Sequence, residues 1–345
     1  MADGATRAPS AVATAAAAGP TQETVRTPRT DPPAGPAAAA ARRRGISWRQ
    51  RLEIAVLVAP ALVLMVVFVA WPVLRAVQWS FFTWKGYGPL VDFVGLANYV
   101  SILTNDVFHG AVRHNLFVVV ASIVLQLPLG LAIALLLNRP MYGQGVLRTI
   151  VFVPYVLAEV IAGVVWFQLL QPRYGVIDAW LERFGLSGPA QGWLGTPELA
   201  LYAVMIVLTW KYLGMAVILM LAGLQGIPHD VTEAAEIDGA SWWQTQWRIT
   251  IPLLGPTMRT WAFLSMIGSL QLFDMVWILT RGGPANATTT MATFLLTEGQ
   301  RRANYGIASA ASVVLFVIAL VMALTYQRFI LSRDNTVDSP RRGKR

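Results

Sequence analysis

Five polar side chains interrupt the apolar runs of this sequence and are its first candidates for chemistry: Gln126, Glu159, Lys211, Gln271 and Asp274. Ionisable and amide groups are costly in hydrocarbon, so those found there mark a solute path, an ion path or a pair that neutralises itself. Glu159 lies about eleven residues into one apolar run and Lys211 about eleven into the next from the opposite side. At about 1.5 Å per residue, both reach the middle of a bilayer. They can pair as a stitch between two helices or face a polar cavity, and the residue types alone leave both readings open. Hydrolytic and nucleotide chemistry lack their usual equipment. The sequence has no G-x-x-x-x-G-K-[ST], G-x-S-x-G or H-E-x-x-H run. Cysteine is absent, and His109, His114 and His229 lack zinc-ligand spacing. The expectation is a chain that is not an enzyme, with no metal and no cofactor.

A second constellation lies between two apolar runs. Asp230, Glu233, Glu236 and Asp238 are carried on about two helical turns that hold no Lys or Arg. Asp230 and Glu233 have the spacing of an N-cap and its capping-box partner, and Ser241 and Gln244 repeat it. Gly239 between them supplies a residue that enters the left-handed region without steric cost. The spacing predicts helix, glycine elbow, helix, the second ending before Pro252. An acidic helix is repelled by an anionic membrane surface. With the small side chains of Ala234 and Ala235 beside Val231 and Ile237, it suits a groove on another protein. Trp242, Trp243 and Trp247 suit the membrane interface.

These residues are positioned by apolar elements. Of 345 residues, 55% are hydrophobic and 13% charged, and the mean hydropathy is +0.53. Six runs of about membrane-spanning length are marked near 54–75, 115–137, 149–171, 200–224, 260–280 and 305–327. The expected fold class is all-α, a polytopic transmembrane helical bundle of six spans. Pro60, Pro128 and Pro154 inside the runs predict kinks, not loops. If both termini are cytoplasmic, fifteen Lys and Arg lie near the inner face against eight in the outer loops, which sets the orientation. The net charge of +9 concentrates at both tails beside apolar runs, so its partner is membrane lipid and not nucleic acid.

Residues 1–50, Ala- and Pro-rich over most of their length, read as a disordered cytoplasmic tail. The AVATAAAAG stretch within them precedes its basic residues and is too weakly apolar for a signal peptide. A membrane domain over 51–331 follows, with the elbow loop at about 225–259, and a basic tail over 332–345 closes the chain. The outer loop at 76–114 is expected to form a short helical hairpin, and that at 172–199 an amphipathic helix ended by Gly185.

The run LAGLQGIPHDVTEAAEIDGASWWQTQWRITIPLLGPT resembles the EAA loop of ABC importer permeases of the carbohydrate type, exemplified by maltose and glycerol-3-phosphate uptake systems. Glu233-Ala234-Ala235, Asp238-Gly239-Ala240 and Ile249-Thr250-Ile251-Pro252 carry the likeness. FVGLANY, RTIVFVPYVLAEVIAGVVW, YGVIDAWL, TRGGPANATTT and YGIASAASVVLF are similar to further landmarks, so the resemblance covers about 50–330. EGQRRANYG at 298–306 departs from it, since the family usually has an aromatic before the final span.

The resemblance implies a permease subunit in a prokaryotic cytoplasmic membrane that moves a sugar or polyol. Its implied partners are cytoplasmic ATP-binding subunits, a second permease subunit and an extracytoplasmic solute-binding protein. It implies that Glu233, Ala234, Ala235, Asp238 and Gly239 form the ATPase-coupling helix, with Glu233 facing a basic group of the ATPase. Gln126, Glu159, Lys211, Gln271 and Asp274 are then substrate-path candidates, and Trp166, Trp210 and Phe273 offer rings for sugar faces. The rival from another class is a secondary transporter coupled to ions through Glu159, Lys211 and Asp274. A membrane-embedded enzyme is a third reading, and it lacks convergent catalytic side chains.

Overall fold

The computed structural model describes residues 48–330. The tails read at 1–50 and 332–345 fall outside it except for Trp48, Arg49 and Gln50, which are helical. The chain divides into a unit ending at Leu62 and a larger one running from Val63. The larger unit contains every site discussed below.

Among the described residues, four helices are long and apolar enough to cross a membrane: α1 (Trp48–Trp79), α3 (Asp106–Leu137), α7 (Pro197–Gln225) and α13 (Tyr305–Phe329). A fifth is reached if the bent pair α4 (Gln144–Val156) and α5 (Glu159–Leu169) is taken as one span, with a bend of 100° between them. The shorter helices are α2 (Ala97–Leu103), α6 (Val176–Arg183), α8 (His229–Ile237), α9 (Trp242–Thr245), α10 (Gly255–Leu270), α11 (Asp274–Leu279) and α12 (Met291–Leu296). A three-residue helical turn, Ile251–Leu253, lies between α9 and α10. Among the described residues the only strand-type pairing is one antiparallel bridge, Phe82 to Phe93.

Of the six expected spans, four helices, or five segments with the bent pair, have the length and apolarity of a span among the described residues, and the sixth is not shown as a continuous helix. The run near 260–280 is not one helix: α10 has 16 residues, and the chain breaks at Gln271 before the 6-residue α11. The run at 149–171 is likewise broken, at Leu157 and Ala158, both extended with ψ near 140°. Pro154 sits inside α4, and Pro60 and Pro128 lie inside α1 and α3. The loop at 76–114 is not a helical hairpin. The Phe82–Phe93 bridge closes its turn, and Asn98 donates to the carbonyls of Ser80 and Phe82. The helix at 172–199 is α6, followed by Gly185 at φ +73°.

Two close approaches set the bundle. A Cβ on Gly130 would come 2.7 Å from Ala216 Cβ, and one on Gly214 would come 2.7 Å from the Val151 carbonyl oxygen. Glycine therefore lets α7 approach both α3 and α4, the small-residue packing that replaces hydrophobic drive in lipid. Asn115 ties the second break to this frame. Its amide donates to the carbonyls of Ser269 (2.7 Å) and Leu270 (3.3 Å), and its oxygen accepts the Met291 N–H (2.8 Å). Three apolar clusters fill the remainder. One lies around Val118, Leu208 and Met275, one around Ala134, Met220 and Trp261, and one around Phe108, Met266 and Phe294.

Candidate functional site

A cavity of about 290 Å³ opens among α3, α5, α7, α10 and α11. Gln126 and Ser122 reach it from α3, Glu159 from the start of α5, and Tyr212 from α7. Ser265 and Ser269 face it from α10 beside Trp261, and Gln271, Phe273 and Asp274 come from the second break. Both helix breaks thus end at the cavity, which is where non-helical backbone is tolerated at membrane depth.

The polar lining is not consumed by the protein. Gln126 is 2% exposed, Ser122 4% and Ser269 7%, yet among the described residues no side-chain hydrogen bond is made by any of the three. Buried polar side chains normally have partners. The polar atoms of these three open onto the cavity and not onto protein partners, which leaves them available to hydrogen-bonding groups from elsewhere. Glu159 accepts a hydrogen bond from the Tyr212 hydroxyl, and no lining carboxylate is in an ion pair among the described residues.

Four of the five polar residues named from sequence line this cavity, and Lys211 does not. Consecutive residues on a helix project about 100° apart, so Tyr212 faces the cavity while Lys211 turns to the first break. There the Lys211 ammonium donates to the carbonyls of Pro154 (3.0 Å), Tyr155 (2.9 Å) and Leu157. These are end carbonyls of α4, which have no partner within the helix. The ammonium has three donors and all three are used. Glu159 and Lys211 are not joined by an ion pair among the described residues. Of the three rings suggested for sugar faces, only Phe273 lines the cavity, stacked on Trp277 at 5.6 Å. Trp166 and Trp210 pack edge to face on each other, 5.4 Å between centroids.

Ser122, Ser269 and Tyr212 were not anticipated from sequence. A signal for two of them existed: Ser122 with Gln126, and Ser265 with Ser269, are spaced i,i+4 and so share one face of their helices.

The elbow forms at one end of α7. α8 starts at His229, directly after Pro228, and carries no side-chain N-cap. The capping box expected from Asp230 and Glu233 is thus absent. The extended Pro228 (ψ 136°) starts the helix two residues earlier and leaves Asp230 in the first turn, where the helix dipole favours it. Gly239 adopts φ +78°, and the Ala240 N–H bonds back to the Ala235 carbonyl, closing a Schellman-type stop. The second capping box is present: Ser241 N–H donates to Gln244 Oε1 (2.7 Å), and Gln244 N–H to Ser241 Oγ. Ala235 is buried, whereas Glu233, Ala234 and Asp238 are exposed and Ile237 is 79% exposed. Arg139 at the end of α3 lies 4.2 Å over Trp242 and anchors the second arm.

A family model described as "Binding-protein-dependent transport system inner membrane component" matches residues 126–334. The chain belongs to this family. The permease is 36% identical over 274 residues to the trehalose/maltose transport system permease protein MalF of Thermococcus litoralis, covering 78% of this chain and 90% of that one. It is 35% identical over 268 residues to a probable ABC transporter permease of Pyrococcus horikoshii, covering 77% and 91%. Two solved structures of a bacterial alginate ABC transporter each align with a TM-score of 0.71 at 26% identity. One concerns import of the acidic polysaccharide alginate and covers 81% of this chain and 95% of that one. The other, with an alginate pentasaccharide-bound periplasmic protein, covers 82% and 96%. The permease is accordingly an inner membrane component of a binding-protein-dependent transport system. Family membership leaves the ion-coupled carrier and the membrane enzyme without support.

Proposed function

We propose that this permease forms the membrane path of an ABC importer for a sugar or related polyol, with the cavity as part of that path. The observation that carries this reading is the set of buried, unpartnered polar side chains at Gln126, Ser122 and Ser269. Sugar hydroxyls donate and accept at once, and amides, serines and carboxylates are their complement. The relatives named for trehalose and maltose and for alginate support the substrate class.

ATP hydrolysis belongs to a separate cytoplasmic subunit, which grips α8 through its exposed face. Glu233 supplies the charge, Ala234 permits close approach while Ala235 packs the inner side of the helix, Asp238 ends the helix, and Gly239 sets the angle of the elbow. A second permease subunit completes the path, and an extracytoplasmic binding protein delivers the solute, as the complex of the alginate transporter with its periplasmic protein suggests. Both termini of this chain are then cytoplasmic. Alternating access follows when closure of the ATPases shifts α8 and, through it, α7.

The test is uptake of a panel of labelled carbohydrates into proteoliposomes holding the assembled transporter. We expect uptake that needs ATP and binding protein, is indifferent to a protonophore, and falls at least tenfold in Gln126→Leu. Uptake that collapses with the proton gradient and ignores ATP refutes the proposal. In parallel, Glu233→Lys and Gly239→Pro should each release the ATPase during co-purification without loss of the folded permease. An ATPase that stays bound in both variants refutes the role of α8.

A further inference from the structure

The cavity carries a charge pattern that goes further than a general affinity for hydroxyls. Glu159 and Asp274 both line it, and no Lys, Arg or His does. Glu159 is half-buried and Asp274 exposed, and two carboxylates on one open cavity raise the cost of bringing a further negative charge to it. The positive charges nearby are committed elsewhere. The three donors of Lys211 are spent on the carbonyls of Pro154, Tyr155 and Leu157. Beyond α12, Arg301 lies 4.9 Å over the Trp277 ring, and Arg302 donates to Glu298 at 2.6 Å. Anion recognition needs charged or convergent N–H donors, and the side-chain donors lining the cavity among the described residues are the amides of Gln126 and Gln271, the serine hydroxyls, the Trp261 ring and the Tyr212 hydroxyl, which is spent on Glu159.

We propose that Glu159 and Asp274 make this path a charge filter, admitting neutral sugars through hydrogen bonds from their hydroxyls and rejecting sugars that carry a carboxylate, sulfonate or phosphate. This rests on the cavity being the solute path. The alginate transporter imports an acidic polysaccharide on a similar backbone, so the choice of substrate charge resides in the side chains placed on the fold and not in the fold.

The test uses the complete transporter, with its ATPases and partner permease but without binding protein, so that discrimination belongs to the membrane path. Saturation-transfer NMR would compare three neutral disaccharides with their own aldonic acids: maltose with maltobionate, cellobiose with cellobionate, and lactose with lactobionate. We expect at least one neutral member to bind, with loss of the signal in Gln126→Leu. Its acid should bind about tenfold more weakly or worse at low salt, a gap that narrows as salt screens the field. The gap should close in Glu159→Gln/Asp274→Asn. It should narrow in Ser265→Lys, which offsets one of the two negative charges and leaves the Tyr212–Glu159 bond in place. Acids that bind as well as their neutral parents, with both lost in Gln126→Leu, overturn the filter and leave the solute path standing. A gap that persists in both charge variants also overturns it. Binding of no pair that depends on Gln126 removes the solute path and the filter with it.

Discussion

Replacing Lys211 by Met is the most informative single perturbation of this permease. The side chain is 3% exposed and its ammonium holds three carbonyls at the end of α4. Hydrogen bonds to a charged group contribute about 1.5–3 kcal/mol each, so the gross loss is roughly 4.5–9 kcal/mol. Against this, Met no longer has to bury a charge, which returns several kcal/mol. The net destabilisation is about 2–4 kcal/mol. At about 2–4 °C per kcal/mol for a chain of this order of size, the temperature of half-loss of the monodisperse detergent-solubilised peak should fall by roughly 4–16 °C. Lys211→Gln, which restores up to two donors without the charge, should fall about half as far. The alternative is that Lys211 serves the solute and not the fold. A Met variant as stable as the native chain but unable to transport would refute the reasoning.

Two further predictions concern the frame. Asn115→Ala removes three hydrogen bonds and strands the Met291 N–H. The cost should be about 2–4 kcal/mol, read as lower stability with greater protease sensitivity near Gln271, and Asn115→Asp should not rescue it because the donor is missing. Gly130→Val should separate α3 from α7, because even a Cβ there would sit 2.7 Å from Ala216 Cβ. Overpacking of this kind costs about 1–3 kcal/mol, and Ala216→Gly in the same chain should recover part of it in a thermal-shift assay.

The cavity was the most legible part of the sequence. Gln126, Glu159, Gln271 and Asp274 stand out because lipid penalises them, and the same penalty gathers them into one lining. Lys211 obeyed the same rule but was misdirected, since its partner is backbone freed by a helix break and no residue pattern announces that. Pro154 marked the right neighbourhood, yet the chain stays helical through it and bends 100° three residues later, where a side chain from another helix satisfies the carbonyls. The breaks in the runs at 149–171 and 260–280 were missed for the same reason: hydropathy records that a segment is apolar, not whether its backbone is continuous. Gly239 and the Ser241 capping box were readable because their causes are local. The start of α8 was displaced because Pro228 restricts its own neighbourhood more strongly than Asp230 attracts a cap.

The continuity of α7 has a mechanical meaning. Its 29 residues run roughly 43 Å without interruption and lead through Gly226, Ile227 and Pro228 straight into α8. The two segments opposite it are jointed, one between Val156 and Glu159 and one at Gln271. A straight rod bears thrust along its length, whereas a jointed member folds at its pivot. On the function proposed above, a displacement applied at the elbow would be carried along one wall and taken up as rotation at the other two, so the piston and its hinges would be drawn from a single chain.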